Sequence, residues 1–337
     1  MGDEFKDDYR QALPREIVQQ LTRRSARRAT LAIVHDLAVI AAAVGAALWF
    51  WPDPLVALLA VVIIGTRQHA LFVIAHEAAH YLLFENRKIN DFAGRGCAML
   101  QGLSMCTYRV IHRLHHNNLY GELDPDTALH GGYPRGRAYL VRKLLKDLSG
   151  LTAWKTYAYF LGGAPALNTQ TNVALRPLDD TSAKLRDDAR TDRNLVIACH
   201  IAVLLAFAWS GYLVQYLVLW VLPLVTVVQA ILRLRAIAEH GATTDFSSPL
   251  TAARTNLAPA WLRWALFPHN VNYHVEHHLY ASVPQYNLPE LHREMKDRGI
   301  LEGAEVIAFR ATLGKIFAER APRRAAAAET ARTARAG

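Results

Sequence analysis

LVALLAVVIIGTRQHALFVIAHEAAH, residues 55–80, decides how this chain is read. Its apolar part, to about Ala75, can cross a hydrocarbon core of about 30 Å at 1.5 Å per residue. It ends in two histidines, His76 and His80, spaced i and i+4. Arg67, Gln68 and His69 would be costly against lipid, so they are expected to face a bundle interior or a water-accessible cavity. The stretch therefore reads as a membrane helix that delivers a chemical group to one face of the bilayer.

Working outward, Ala29–Trp51 is a second apolar run, broken by His35 and Asp36 near one end. Trp49 and Trp51 fit an interfacial belt, and Pro52-Asp53-Pro54 makes the turn between the two runs. Leu195–Leu232 is too long for one crossing at about 57 Å. Two spans turning near Ser210-Gly211 fit it, with a kink expected at Pro223 and the return marked by Arg233 and Arg235. Between the hairpins, Leu140, Leu144, Leu145, Leu148 and Leu151 recur at helical spacing opposite Arg142, Lys143 and Lys146. That pattern suits a helix on the membrane surface or one packed inside a cap.

The expected fold class is thus an all-α integral membrane protein, with four transmembrane helices in two hairpins under a cytosolic helical cap. Residues 1–28 are expected to form a polar juxtamembrane helix and 29–317 the membrane domain. Spans fall at about 29–51, 54–75, 195–210 and 212–232, with cap segments 76–193 and 233–317. The Ala- and Arg-rich tail, 318–337, reads as disordered.

Composition narrows the function. The 337 residues carry 52% hydrophobic and 20% charged residues and a net charge of +9. Arg23, Arg24, Arg27 and Arg28 beside the first span explain much of that excess as positive-inside flanks, placing the N-terminus, histidine boxes and C-terminus in the cytoplasm. No zinc-finger, helix-turn-helix or RNA-binding signature accompanies the charge, so nucleic acid is excluded as a partner. The first thirty residues lack the apolar core of a secretory leader. Cys97, Cys106 and Cys199 have neither zinc nor iron–sulfur spacing, which fits a reduced compartment.

Fifteen histidines are an unusual number, and eight of them fall in three boxes. HEAAH carries His76 and His80; HRLHH carries His112, His115 and His116; HVEHH carries His274, His277 and His278. Residues i, i+3 and i+4 share a helix face, so each box can aim its imidazoles at one point. Converging imidazoles without a cation repel when protonated and waste buried polar groups when neutral, so the boxes read as metal ligands. His240, in AEHGA just beyond the fourth span, is a ninth candidate. Nine imidazoles exceed the needs of one ion and suit two, with four or five each. His35, His69, His130, His200, His269 and His292 lie outside the boxes and read as packing, surface or cavity residues.

HEAAH, HRLHH and HVEHH, in this order around two membrane hairpins, resemble the membrane fatty-acid desaturase family and its hydroxylase relatives. The likeness extends to Asp124-Pro125-Asp126 and to HHLYASVPQYNLPELH at 277–292, and covers about residues 30–295. It implies a di-iron centre of two iron ions held by His76, His80, His112, His115, His116, His274, His277 and His278, with His240 as the extra ligand. Asn270 and Asn272 would support the site by hydrogen bonds or water. The implied chemistry uses O2 and two electrons to remove hydrogen from an unactivated carbon, giving an alkene in a desaturase or an alcohol in a hydroxylase. A fatty-acyl or other lipid-like substrate, drawn from the bilayer, is the default, and a small amphipathic metabolite the alternative. The chain has no His-Pro-Gly-Gly haem motif or ferredoxin cysteine set, so electrons are expected from an external ferredoxin or cytochrome. The three residues between His76 and His80, as in many hydroxylases and bacterial desaturases, argue against a plain acyl-coenzyme A desaturase.

A rival of another class is an intramembrane zinc protease, since HEAAH is also HExxH, with Glu77 as general base. It leaves the other boxes without work. Metal storage or transport would need polar residues lining all the spans, and only the second shows several.

Overall fold

The computed structural model describes residues 12–319 apart from 170 and 180. The start of the expected N-terminal helix and nearly all of the expected tail lie outside the described residues. Among the described residues, four helices are long and apolar enough to cross a membrane.

A short helix, α1 (Arg15–Leu21), leads into α2 (Ala26–Trp49), whose first turn is capped by the Ser25 side chain. The hairpin partner α3 (Pro54–Ala79) begins with Pro54 at its first position and Asp53 accepting from the amides of Leu55 and Val56. The two differ in role. Leu31, Val34, Leu37 and Leu48 of α2 stay exposed, while nearly every residue of α3 from Ile63 onward is buried. A helix apolar all round belongs in the middle of a bundle. Its polar residues are paired there, as expected: Arg67 with Asp36 at 3.1 Å, and Gln68 Nε2 donating to Trp220 O at 3.0 Å.

The chain then folds back as α4 (Arg87–Leu100) and α5 (Met105–Asn117). A Cβ on Gly94 would stand 2.3 Å from that of Ala78, so glycine is what lets α4 lie against α3 beside the first box. After α5 come a single turn, α6 (Thr127–His130), then α7 (Arg137–Leu148) and α8 (Ala153–Phe160). Leu140 of α7 packs inward against Ile237 and Ile316, whereas Leu145, Leu148 and Leu151 remain exposed, as a surface-lying helix requires. A two-residue antiparallel ladder pairs β1 (Ala166–Leu167) with β2 (Ala174–Leu175).

The second hairpin is longer than its apolar run. Helix α9 (Ala183–Trp209) starts twelve residues before Leu195, capped by Ser182. These first turns are rich in Ala, Lys, Arg and Leu, good helix formers that hydropathy does not register. Asp192 there accepts from Ser104 Oγ at 2.9 Å and Cys106 N at 3.0 Å, anchoring the start of α5. After Gly211 in the left-handed region, α10 runs from Leu213 to His240. The irregularity expected at Pro223 is spread over a π-helical turn at Leu217–Val221 and a non-helical Thr226. Arg233 and Arg235 do not mark the helix end. They are half-buried and buried inside it, paired with Asp147 of α7 and, at 3.1 Å, with Glu239. An ion pair lets the helix continue two turns past the apolar run and carry His240 to the second and third boxes.

Beyond α10 the cap is built on β3 (Arg254–Leu257), parallel to β4 (Glu305–Ala308). Arg254 is fully buried. Its guanidinium donates to the carbonyls of Ala238, Gly241 and Ala242 and pairs with Glu305 at 2.9 Å. It thereby satisfies the last carbonyls of α10 and fixes His240 against the sheet. Helices α11 (Ala260–Leu266), α12 (His274–Leu279), α13 (Leu288–Asp297) and α14 (Phe309–Ile316) complete the cap. Leu13, just before α1, and Leu21, at its end, pack on Tyr280, Val283, Leu288, Leu291 and Met295, so the N-terminal helix braces the third box.

Candidate metal centre

Four helices deliver nine imidazoles to one volume: the end of α3, the last turns of α5, the end of α10, and α12. They sort into two groups. His76, His80, His112, His116 and His277 each offer a nitrogen within 4.8 Å of the others, and His115, His240, His274 and His278 form a second such group. The closest approaches are 2.8 Å between His112 Nε2 and His80 Nε2, and 3.1 Å between His277 Nε2 and His116 Nε2. In the second group His274 and His240 meet at 2.8 Å, His115 and His240 at 3.2 Å, and His278 and His274 at 3.2 Å, all through Nε2. Two donors at a right angle, each about 2.1 Å from an ion, stand about 3 Å apart, so these spacings suit a cation at each focus. The groups touch where the rings of His116 and His278 stack at 4.3 Å between centroids.

The second box is split: His112 and His116 point to one group and His115 to the other. On a helix, i and i+4 share a line while i+3 lies to one side of it. One HxxHH sequence therefore serves two foci.

Burial keeps most of the array uncharged. It pushes the imidazolium pKa of His112, His116, His274, His277 and His278 well down, and neighbouring imidazoles add to the effect. His80 is lowered to about 4 by burial and the nearby Arg109. His115 goes the other way. Burial opposes its charging, but Asp124 at 3.0 Å from Nδ1 outweighs burial and raises the value to about 9. Its Nδ1–H donates to Asp124, and without a cation Nε2 also holds a proton near neutral pH; Nε2, which faces His240, is the nitrogen that a cation would take in place of that proton. The bond to Asp124 is the carboxylate–histidine pairing that orients a metal ligand. His240 is oriented similarly, Nδ1 donating to Ala252 O at 3.2 Å. Uncharged nitrogens aimed at one another are a poor way to fill a core, and a bound cation supplies what they lack. The residues fit two ions.

Asp124 was legible only as part of an Asp-Pro-Asp sequence. Besides His115, it accepts from Tyr120 N at 2.9 Å and Asp126 N at 3.0 Å, so its oxygens are engaged as an orienting group. His130, read as a bystander, stands with its Nε2 3.8 Å from Asp124, and burial lowers its pKa to about 3. The spacing of His130 from the boxes carried no signal; the turn of α6 brings it in. Asp124→Asn is expected to weaken metal retention by about 10- to 100-fold in a chelator competition while leaving the fold intact.

The glutamates inside the boxes are structural. Glu77 Oε2 accepts from Gln285 N at 2.9 Å, tying α3 to the loop after the third box. Glu276 accepts from Thr255 and His292, locking α12 to β3 and α13. Asn270 and Asn272 donate to Gln285 O and Asn256 O. His269 and Asn270 both have left-handed backbone, an arrangement costing on the order of 1 kcal/mol each. His269 Nε2 at 2.6 Å from Asp36 and the Asn270 bond hold this turn, which sets where α12 begins.

Below the imidazoles lies a small cavity of about 80 Å³. Phe72, Tyr108 and Phe160 line it with Asp126, Arg235 and Glu239.

Comparison with known proteins assigns this architecture. The profile described as Fatty acid desaturase matches residues 52–308. The chain belongs to the fatty acid desaturase family. Dihydrorhizobitoxine desaturase of Bradyrhizobium elkanii is 27% identical over 303 residues, 85% of this chain and 81% of that protein. An endoplasmic-reticulum omega-3 fatty acid desaturase of Vigna radiata var. radiata is 27% identical over 160 residues, 45% of this chain and 36% of the relative. A chloroplastic omega-3 fatty acid desaturase of Glycine max is 25% identical over 246 residues, 67% of this chain and 51% of the relative. With four apolar helices and converging histidines, the chain is an integral-membrane oxidoreductase of the desaturase type.

Proposed function

We propose that this chain is a non-haem di-iron desaturase that uses O2 to introduce a C=C bond into a fatty-acyl or other lipid-like substrate. The observation that carries the reading is the sorting of nine imidazoles into groups of five and four with no carboxylate in either. His76, His80, His112, His116 and His277 would hold one iron, and His115, His240, His274 and His278 the other. Iron bound there would supply activation of O2 and removal of hydrogen from an unactivated carbon.

The protein's own part is to orient ligands, admit substrate and exclude water. Asp124 and the Ala252 carbonyl fix which nitrogens of His115 and His240 face inward. Phe72, Tyr108 and Phe160 wall the cavity beside the imidazoles. Two apolar cavities of about 540 and 290 Å³ lie among the membrane helices and share His200 and Tyr216. They support a substrate that reaches the centre from the bilayer. Electrons would come from an external ferredoxin or cytochrome. The clustering of Arg23, Arg24, Arg27 and Arg28 ahead of α2 supports a cytoplasmic cap in the inner membrane.

A second reading has its own observation. Asp126, Arg235 and Glu239 line the small cavity, a polar setting for the end of an acyl chain. They favour a small amphipathic metabolite, which the relatives' names parallel: two name a fatty acid and one does not. Mass spectrometry of lipids and polar metabolites from cells with and without the chain decides among these. A product lacking two hydrogens and absent without O2 is expected; a product gaining one oxygen would make the chain a hydroxylase, and no O2-dependent product would overturn the proposal.

A further inference from the structure

A notch of about 490 Å³ opens between the first turns of α2 and helix α11. Arg28, Arg67 and Arg263 line it with His35 and His269, and no carboxylate is among its lining residues. The nearby Asp36 lies behind them, already engaged by Arg67 at 3.1 Å and His269 at 2.6 Å. Arg67 is spent on Asp36 and on the ring of Trp264, 3.7 Å from its guanidinium carbon. Arg28 and Arg263 have no carboxylate partner among the described residues. Arg28 uses one nitrogen on Asn287 Oδ1 at 3.1 Å and lies over the ring of Tyr286, 5.1 Å from its centroid, which leaves its other donors for a ligand. The buried Nε of Arg263 has no hydrogen-bond partner. A guanidinium has five donors and no acceptor, so in this notch the two together can offer several donors to an anion with several oxygens.

Its position says which anion. Since α2 and α3 are antiparallel, the start of α2 lies at the same membrane face as the histidines ending α3. Leu31, Val34, Trp261 and Trp264 around the notch are exposed, the last two being the aromatic residues that settle at a bilayer interface. A free anion would leave that apolar rim in water, whereas a lipid covers it with its acyl chains.

We propose that this notch binds the phosphate of an anionic phospholipid, held by Arg28 and Arg263, with the acyl chains lying along Leu31 and Val34. Basic pockets beside membrane helices take phosphorylated head groups in this way. The lipid would clamp α2 to α11. Through Asn270 and Gln285, which also line the notch, it would steady the turn preceding the third box.

The test is native mass spectrometry of the full chain in detergent with equal amounts of phosphatidylglycerol and phosphatidylcholine. Expected is retention of phosphatidylglycerol in about fivefold or greater excess, falling by about fivefold in Arg28→Gln and again in Arg263→Gln. Arg27→Gln, an exposed arginine outside the notch, should keep the preference. Equal retention of the two lipids, or an equal loss in Arg27→Gln, would overturn the proposal. A parallel arm adds 10 mM inorganic phosphate without lipid. Thermal protection matching that of phosphatidylglycerol would assign the notch to a free phosphate and overturn the lipid assignment. Each variant is checked for unchanged thermal midpoint without lipid; should Arg263→Gln be unstable, the Arg28→Gln result alone decides.

Discussion

His277→Ala is expected to lower bound metal from about two ions per chain to about one and to cut product formation by at least about 100-fold. His277 is almost fully buried in the group of five, its Nε2 3.1 Å from that of His116. His274→Ala should do the same to the other ion, because His274 belongs to the group of four. Loss of activity from either variant with different ions lost follows from two sites joined in one reaction. Metal analysis of purified protein, with thermal midpoints of the metal-free forms as a check on folding, settles it. A His277→Ala variant that kept both ions would remove it from the ligand set. One zinc per chain, untouched by either substitution, would revive the protease reading.

Acid should destabilise the metal-free protein between pH 6.5 and about 4. His80 is lowered to about 4 and His130 to about 3, both chiefly by burial. In the unfolded chain each titrates near 6.5. Below that value the unfolded state takes up protons that the folded state refuses, so stability falls with pH by about 1.4 kcal/mol per unit for each such histidine. Above about pH 7 these groups contribute no slope. His115 acts in the opposite sense: raised to about 9, its pairing with Asp124 stabilises fully below 6.5 and fades as pH rises through 9. Two histidines together account for a fall in thermal midpoint on the order of 10 °C between pH 7 and 5, measured on chelator-treated protein. A flat midpoint would mean that these imidazoles are charged or hydrated in the folded state. The same burial moves metal release below pH 6, where free imidazoles would let go, because protons compete poorly for nitrogens in this core.

Much of this was legible because the signals are local. A run of twenty apolar residues can do little besides cross a bilayer, and imidazoles at i, i+3 and i+4 can do little besides converge. Hydropathy located the four spans but not the polar starts and ends of α9 and α10, since Asp192, Arg233 and Arg235 are carried by pairing with Ser104, Asp147 and Glu239. Those partners lie far away in the chain. The sequence alone determined a four-span membrane protein with a histidine-rich metal centre. Only the tertiary structure decided which imidazoles converge on each focus, that Asp124 orients His115, that His130 stands beside them, and that Glu77 and Glu276 brace the cap. Each of those depends on the angle and depth at which four helices meet, and packing fixes that, not spacing along the chain.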